Sequence, residues 1–171
     1  MEFKEIQKFR QLWIWIPVVL GGLIPVVLFG YAVCLQLFTE KSFGNIAMDD
    51  KSLILVFILV FIFELTLFIL FASLNLTTCI DRNGIRYRFF PFQLKFRTLA
   101  WEEIEHAEVL KYDPIRDYGG WGIRYGKKGK ALNVSGKMGL KLDLKNGKHL
   151  LLGTKKEQEL KDYLRLLNKI S

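Results

Sequence analysis

Two stretches leave this chain little choice of environment. From Leu12 to Phe38 there is no charged residue, and from Leu53 to Leu74 the only one is Glu64. Each reaches the roughly 20 apolar residues that cross a hydrocarbon core of about 30 Å at 1.5 Å per residue. Two helices apolar on every side would need a polar shell that a chain of 171 residues does not supply. The stretches are therefore expected to be transmembrane helices, over 12–38 and 52–74. A cleaved signal peptide explains the first less well. Lys4, Lys8 and Arg10 precede it as an n-region does, but it outruns an h-region of about 7 to 15 residues, has no small-x-small cleavage site, and is followed by a second span.

Charge sets the orientation. The connection over 39–51 holds Lys41 and Lys51 against Glu40, Asp49 and Asp50, whereas from Asn75 onward there are 20 basic and 11 acidic residues. The positive-inside tendency places 39–51 outside and both termini in the cytoplasm of a multi-pass cell-membrane protein. In segment 1–11, Phe3, Ile6 and Phe9 recur at helical spacing, predicting an interfacial helical turn before the first span. Trp13 and Trp15 fall where an aromatic belt belongs. Pro17 and Pro25 predict a kink, and Gly21 and Gly22 allow close approach of the second helix.

After Leu74 the pattern becomes the alternation of half-buried strands. Thr77–Ile80 and Ile85–Phe89 flank the turn Asp81-Arg-Asn-Gly84. Leu94–Leu99, Ile104–Tyr112, Gly120–Tyr125, Ala131–Val134, Leu140–Leu144 and His149–Leu152 continue the series, with a type I′ turn expected at Lys145-Asn-Gly-Lys148. Thr154, with Glu157 three residues on, is an expected capping box for a helix carrying Leu160, Tyr163, Leu164, Leu167 and Ile170 on one face. Residues 75–171 thus read as a β-rich domain of about seven strands closed by a helix.

Four runs carry a resemblance: Asp81-Arg-Asn-Gly-Ile-Arg-Tyr-Arg88, Trp101-Glu-Glu-Ile104, Gly119-Gly-Trp-Gly-Ile-Arg124 and Leu142-Asp-Leu-Lys-Asn-Gly-Lys148. With the helix after Gly153-Thr154, they resemble the bacterial PH-like (pleckstrin-homology-like) domains attached to transmembrane hairpins. That resemblance implies a PH-like fold and a membrane-tethered binding role, with no reaction attached.

Candidate contact residues follow from type and placement. Arg88, Phe89, Phe90, Phe92, Lys95 and Arg97 mix aromatics with cations close to the second span, a pattern suited to a lipid interface. Trp121 and Arg124 lie in a Gly-rich run that fits neither phosphate-loop spacing, so packing competes with ligand contact there. Lys127, Lys128 and Lys130 form a basic Gly-interrupted loop suited to anionic headgroups. Glu64 is costly in lipid and should face a partner helix, an oligomer contact or an ion path. Catalysis is not expected: His106 and His149 are lone, and Cys34 and Cys79 lack metal-ligand spacing. No cofactor, metal or nucleic-acid partner is expected. The expected function is a non-catalytic binding or scaffolding module at the inner face of the membrane, meeting the bilayer, anionic lipid headgroups or a protein partner. The competing expectation is a small homo-oligomeric transport, channel or sensing component built around Glu64.

Overall fold

The structure is a computed structural model that describes residues 2–39, 48–126 and 128–170. Its contacts divide into two compact units, Arg10–Ala72 and the combination of Met1–Phe9 with Ser73–Ser171.

The first unit is an antiparallel pair of apolar helices, α1 (Leu12–Thr39) and α2 (Asp50–Ser73). Both are long and apolar enough to cross a membrane, and only 6% of the most apolar window of each is buried. Leu20, Leu23, Leu59 and Ile62 are among the many large apolar side chains that stay exposed. Pro17 and Pro25 lie inside a helix assigned without a break. The helices meet along one seam: Trp15 stacks edge-on against Phe68 at 5.4 Å, Gly22 faces Glu64, and Gly30 faces Phe57. At the far end Gln36 Nε2 donates to Asp50 Oδ1 at 2.7 Å. The Asp49 carboxylate accepts from the Ser52 amide and starts α2. Of the expected 39–51 connection, residues 40–47 lie outside those described.

The second unit begins before the helices. The segment expected as a helical turn is a strand, β1 (Phe3–Lys8), paired antiparallel with β2 (Asn75–Ile80) in a register running from Phe3↔Ile80 to Lys8↔Asn75. The period is two, not 3.6, so Phe3, Glu5 and Gln7 point inward while Lys4, Ile6 and Lys8 point out. Glu5 and the Gln7 amide nitrogen find partners, while the buried Gln7 Oε1 makes no hydrogen bond among the described residues. Glu5 accepts from the Thr154 hydroxyl at 2.6 Å and the Lys155 amide at 2.8 Å, and Gln7 Nε2 donates to the Gly153 carbonyl at 2.6 Å.

β3 (Gly84–Phe90) and β4 (Arg97–Ala100) complete a four-stranded sheet in the order β1-β2-β3-β4. Asp81 closes the β2–β3 turn by accepting from the Asn83 and Gly84 amides. The expected strand Leu94–Leu99 is shorter than its pattern, because residues 91–96 form a turn. After a 3₁₀ turn at Trp101–Glu103, β5 (Ile104–Lys111) opens a second sheet. A short helix that periodicity did not show, α3 (Pro114–Tyr118), follows; the Asp113 carboxylate caps it and Gly119 ends it at φ 75°. Then come β6 (Gly122–Gly126), β7 (Gly129–Asn133), β8 (Met138–Leu144) and β9 (His149–Thr154), in the sheet order β5-β8-β9-β7-β6. The described residues therefore hold nine strands in two sheets, β1 being one that the expected count of about seven left out. The β8–β9 turn is not type I′: only Gly147 has positive φ, at 76°, and the loop spans four residues.

β9 lies inside its sheet and is buried on both faces, which accounts for its unbroken run Leu150-Leu-Leu152. Leu151 joins Tyr112, Tyr118 and Ala131 in a cluster on one face. Leu150 and Leu152 therefore face the other way. α4 (Glu157–Leu166) buries Leu160 and Leu164, each contributing about 1.5 to 3 kcal/mol of apolar burial, and sets Tyr163 against Phe3. Thr154 does not cap it. That residue ends β9 with its hydroxyl on Glu5, and Lys156 occupies the cap position without a side-chain bond.

The domain is thus interrupted in sequence by its own helical pair. A chain in which a short Gly-rich turn replaces residues 10–72, joining Phe9 to Ser73, is expected to fold in water with native β circular dichroism. Residues 75–171 alone, lacking β1, should melt at least about 10 °C lower or aggregate. In the joined chain, Glu5→Ala should cost about 1 to 3 kcal/mol in urea melts by stripping partners from buried donors.

Candidate functional site

Residues 91–96 connect β3 to β4. Gln93 closes this loop twice, donating its amide to the Phe89 carbonyl and accepting the Phe89 amide on Oε1. Large apolar side chains remain outside: Phe92 is 66% and Leu94 72% exposed. The Arg88 guanidinium lies 4.6 Å from the Phe96 ring centroid and 5.7 Å from that of Phe90, and Lys95 and Arg97 are exposed beside them. Phe89 is a correction: it is buried, packs on Phe9 and Phe92, and belongs to the core. The strand register gives the loop its address. Phe90 pairs with Asn75, which pairs with Lys8. The loop therefore sits at the end of the sheet from which the chain runs into α1 and to which it returns from α2.

A cleft of about 610 Å³ is lined by Tyr87, Arg97, Tyr125, Lys130, Lys148 and His149 together with small and apolar residues, and no carboxylate is among them. Burial pushes the Tyr87 hydroxyl up, partly offset by Arg97, its hydrogen-bond partner. Lys130 Nζ stands 5.3 Å from the Tyr125 ring centroid. Gly129, at φ 98°, is required here because a Cβ would meet the His149 backbone. Lys128 turns away to Asp117 at 2.8 Å and holds that carboxyl below the usual range. Lys127 lies outside the described residues. The sequence pattern singles out Arg97 and Lys130 but misses Tyr87, Tyr125, Lys148 and His149, which come from strands and turns far apart in the chain.

In the Gly119–Arg124 run, structure accounts for the glycines. Gly119, Gly120 and Gly122 all have positive φ. The fully buried Asn133 accepts from the Gly122 amide at 2.9 Å and donates to the Tyr112 hydroxyl at 3.0 Å. Burial pushes Tyr112 up to about 12, despite that hydrogen bond. Trp121 is half-buried with its indole on the Gly136 carbonyl, and Arg124 donates back to the Trp121 carbonyl. The Gly136 carbonyl therefore holds Trp121 and its own segment holds Arg124, and neither lines the cleft.

In the helical unit, Glu64 faces a cavity of about 510 Å³ between α1 and α2. On insertion scales a charged carboxyl at the centre of a membrane-spanning helix costs roughly 2.5 to 3.5 kcal/mol. Among the described residues no set of three His, Cys, Asp or Glu side chains could hold a metal ion. Cys34 and Cys79 are free thiols, the latter raised by burial. His106 is exposed, and His149 Nδ1 lies 2.6 Å from Asp143. No family model, curated protein or solved structure matches the chain.

Asp143, beside the cleft, gives a pH test. Burial raises it, but hydrogen bonds from Lys141 and His149 outweigh burial and leave the carboxyl below its ordinary value of 3.8. A lowered folded-state value stabilises fully above 3.8, and that contribution disappears as the pH falls through the folded-state value. Asp143→Asn should therefore lower the melting temperature at pH 7 and leave it unchanged at about pH 2, measured by thermal melts of both proteins.

Proposed function

We propose that this chain is a membrane-anchored, non-catalytic binding module, PH-like in fold, that works on the anionic inner face of the bilayer. α1 and α2 cross the membrane as a hairpin. Pairing of Lys8 with Asn75 supports an arrangement in which both helices leave from the same side, because the residues flanking the spans are neighbours in one sheet. The excess of 20 basic over 11 acidic residues from Asn75 onward supports a cytoplasmic position for the domain. The PH-like reading draws on the β1-β2-β3-β4 meander, the antiparallel set β5-β8-β9 and the closing helix α4. On that reading α3 and the β6–β7 hairpin are additions.

The observation that carries the functional reading is the 91–96 loop. Its exposed Phe92, Leu94 and Phe96 stand beside Arg88, Lys95 and Arg97 at the sheet end continuous with both helices. Apolar residues at that position dip into the interface while the cations meet headgroups, each worth about 1 kcal/mol at an anionic leaflet. The basic cleft then captures an anionic group presented at that surface, from lipid or from a protein partner.

A spin label attached through Leu94→Cys in the full-length chain, with Cys34→Ala and Cys79→Ala, tests this. In bilayers containing phosphatidylglycerol the label should be relaxed by oxygen and shielded from a water-soluble nickel reagent. Replacing Arg88, Lys95 and Arg97 by Gln should shift it toward water. A fully aqueous label in the otherwise unsubstituted loop would refute the interfacial role.

A further inference from the structure

Among the described residues of the helical unit, the Glu64 carboxyl has no counter-charge. Helix α1 carries no charged residue, and α2 otherwise has only Asp50 and Lys51 in its first turn. Lys51 is 13 residues from Glu64, about 20 Å along the helix. Among the described residues no hydrogen-bond or ion-pair partner reaches the carboxyl. It lies over Gly22, where an added Cβ would stand 2.8 Å from Oε2. The missing side chain leaves the cavity of about 510 Å³, walled by Pro17, Val18, Phe61, Phe68 and Phe71, with Glu64 its one ionisable group. That volume falls in the range of small-molecule sites, about 300 to 1,000 Å³.

We propose that this cavity binds an amphiphilic organic cation, a quaternary or protonated nitrogen or a phosphonium carried on an apolar body, with Glu64 as its counter-ion. Charge complementarity selects the sign, since the site offers one acid and no base. The phenylalanine rings suit both the apolar body and the cation, which ring faces attract. Depth selects the apolar carrier. Glu64 lies nine residues from Ser73, about 14 Å along α2 and beyond reach of a headgroup amine held at the interface. A second copy of this chain is a poorer occupant, because a two-fold contact through this face brings Glu64 against Glu64 with no cation in either span. This site is independent of the basic cleft and of the 91–96 loop.

The test uses the full-length chain in phosphatidylcholine nanodiscs titrated with radiolabelled tetraphenylphosphonium. Binding should saturate. Glu64→Gln should weaken it at least about tenfold, or 1.4 kcal/mol. Glu64→Asp should weaken it less, Gly22→Leu should abolish it by filling the cavity, and a neutral tetraphenyl analogue should fail to compete. Uptake no greater than that of empty nanodiscs, or unchanged affinity in Glu64→Gln, overturns the proposal. So does a change in the number of chains per nanodisc on Glu64→Gln, which assigns the carboxyl to self-association.

Discussion

The pairing of β1 with β2 is the contact on which the rest depends. It joins two strands separated by the whole of segment 9–74, and makes the helical pair an insertion within a β-hairpin. Without β1, the β2 edge is unpaired and Leu76 and Ile80 lose their cover. The same strand carries Glu5 and Gln7 to the end of β9, tying the four-stranded sheet to the five-stranded one. Their buried polar atoms make this tie specific, because an apolar pair in their place would leave the Thr154, Lys155 and Gly153 groups without partners.

Much of the architecture is legible in the sequence because it is written in composition and short-range periodicity. The helices announce themselves by length and the absence of charge, and the Asp81 turn by its own side chain. β1 is illegible for a physical reason. Its inward face is Phe3, Glu5 and Gln7 and its outward face includes Ile6, so the usual polarity of an amphipathic strand is partly inverted. Only the distant Gly153–Lys155 segment makes that inversion tolerable. Thr154 is misread for the same reason: the local pattern offers a cap, whereas the long-range bond to Glu5 claims the hydroxyl.

The candidate sites divide along the same line. The 91–96 loop is local, and its mixture of aromatics and cations can be read directly, except that Phe89 faces inward. The cleft is assembled from Tyr87, Arg97, Tyr125, Lys130, Lys148 and His149, which only the packing of two sheets brings together. In the helical pair, Glu64 stands out in sequence as the one charge in its stretch, but its position over Gly22 depends on the helix seam. The 91–96 loop and the cleft share Arg97, whereas Glu64 belongs to the helical unit.

The strand register offers the most direct measurement, because the native Cys79 faces Lys4 across the β1–β2 pair. Cross-strand partners lie within the Cα separation of up to about 7 Å that a disulfide tolerates. In a Cys34→Ala background, mild oxidation of the full-length Lys4→Cys chain in membranes should give an intramolecular disulfide between the introduced thiol and Cys79, read by mass spectrometry. Lys8→Cys, four residues out of register and about 13 Å along the strand, should give none. Failure of the first chain to link, or equal linking in both, would contradict the interrupted hairpin from which the fold is built.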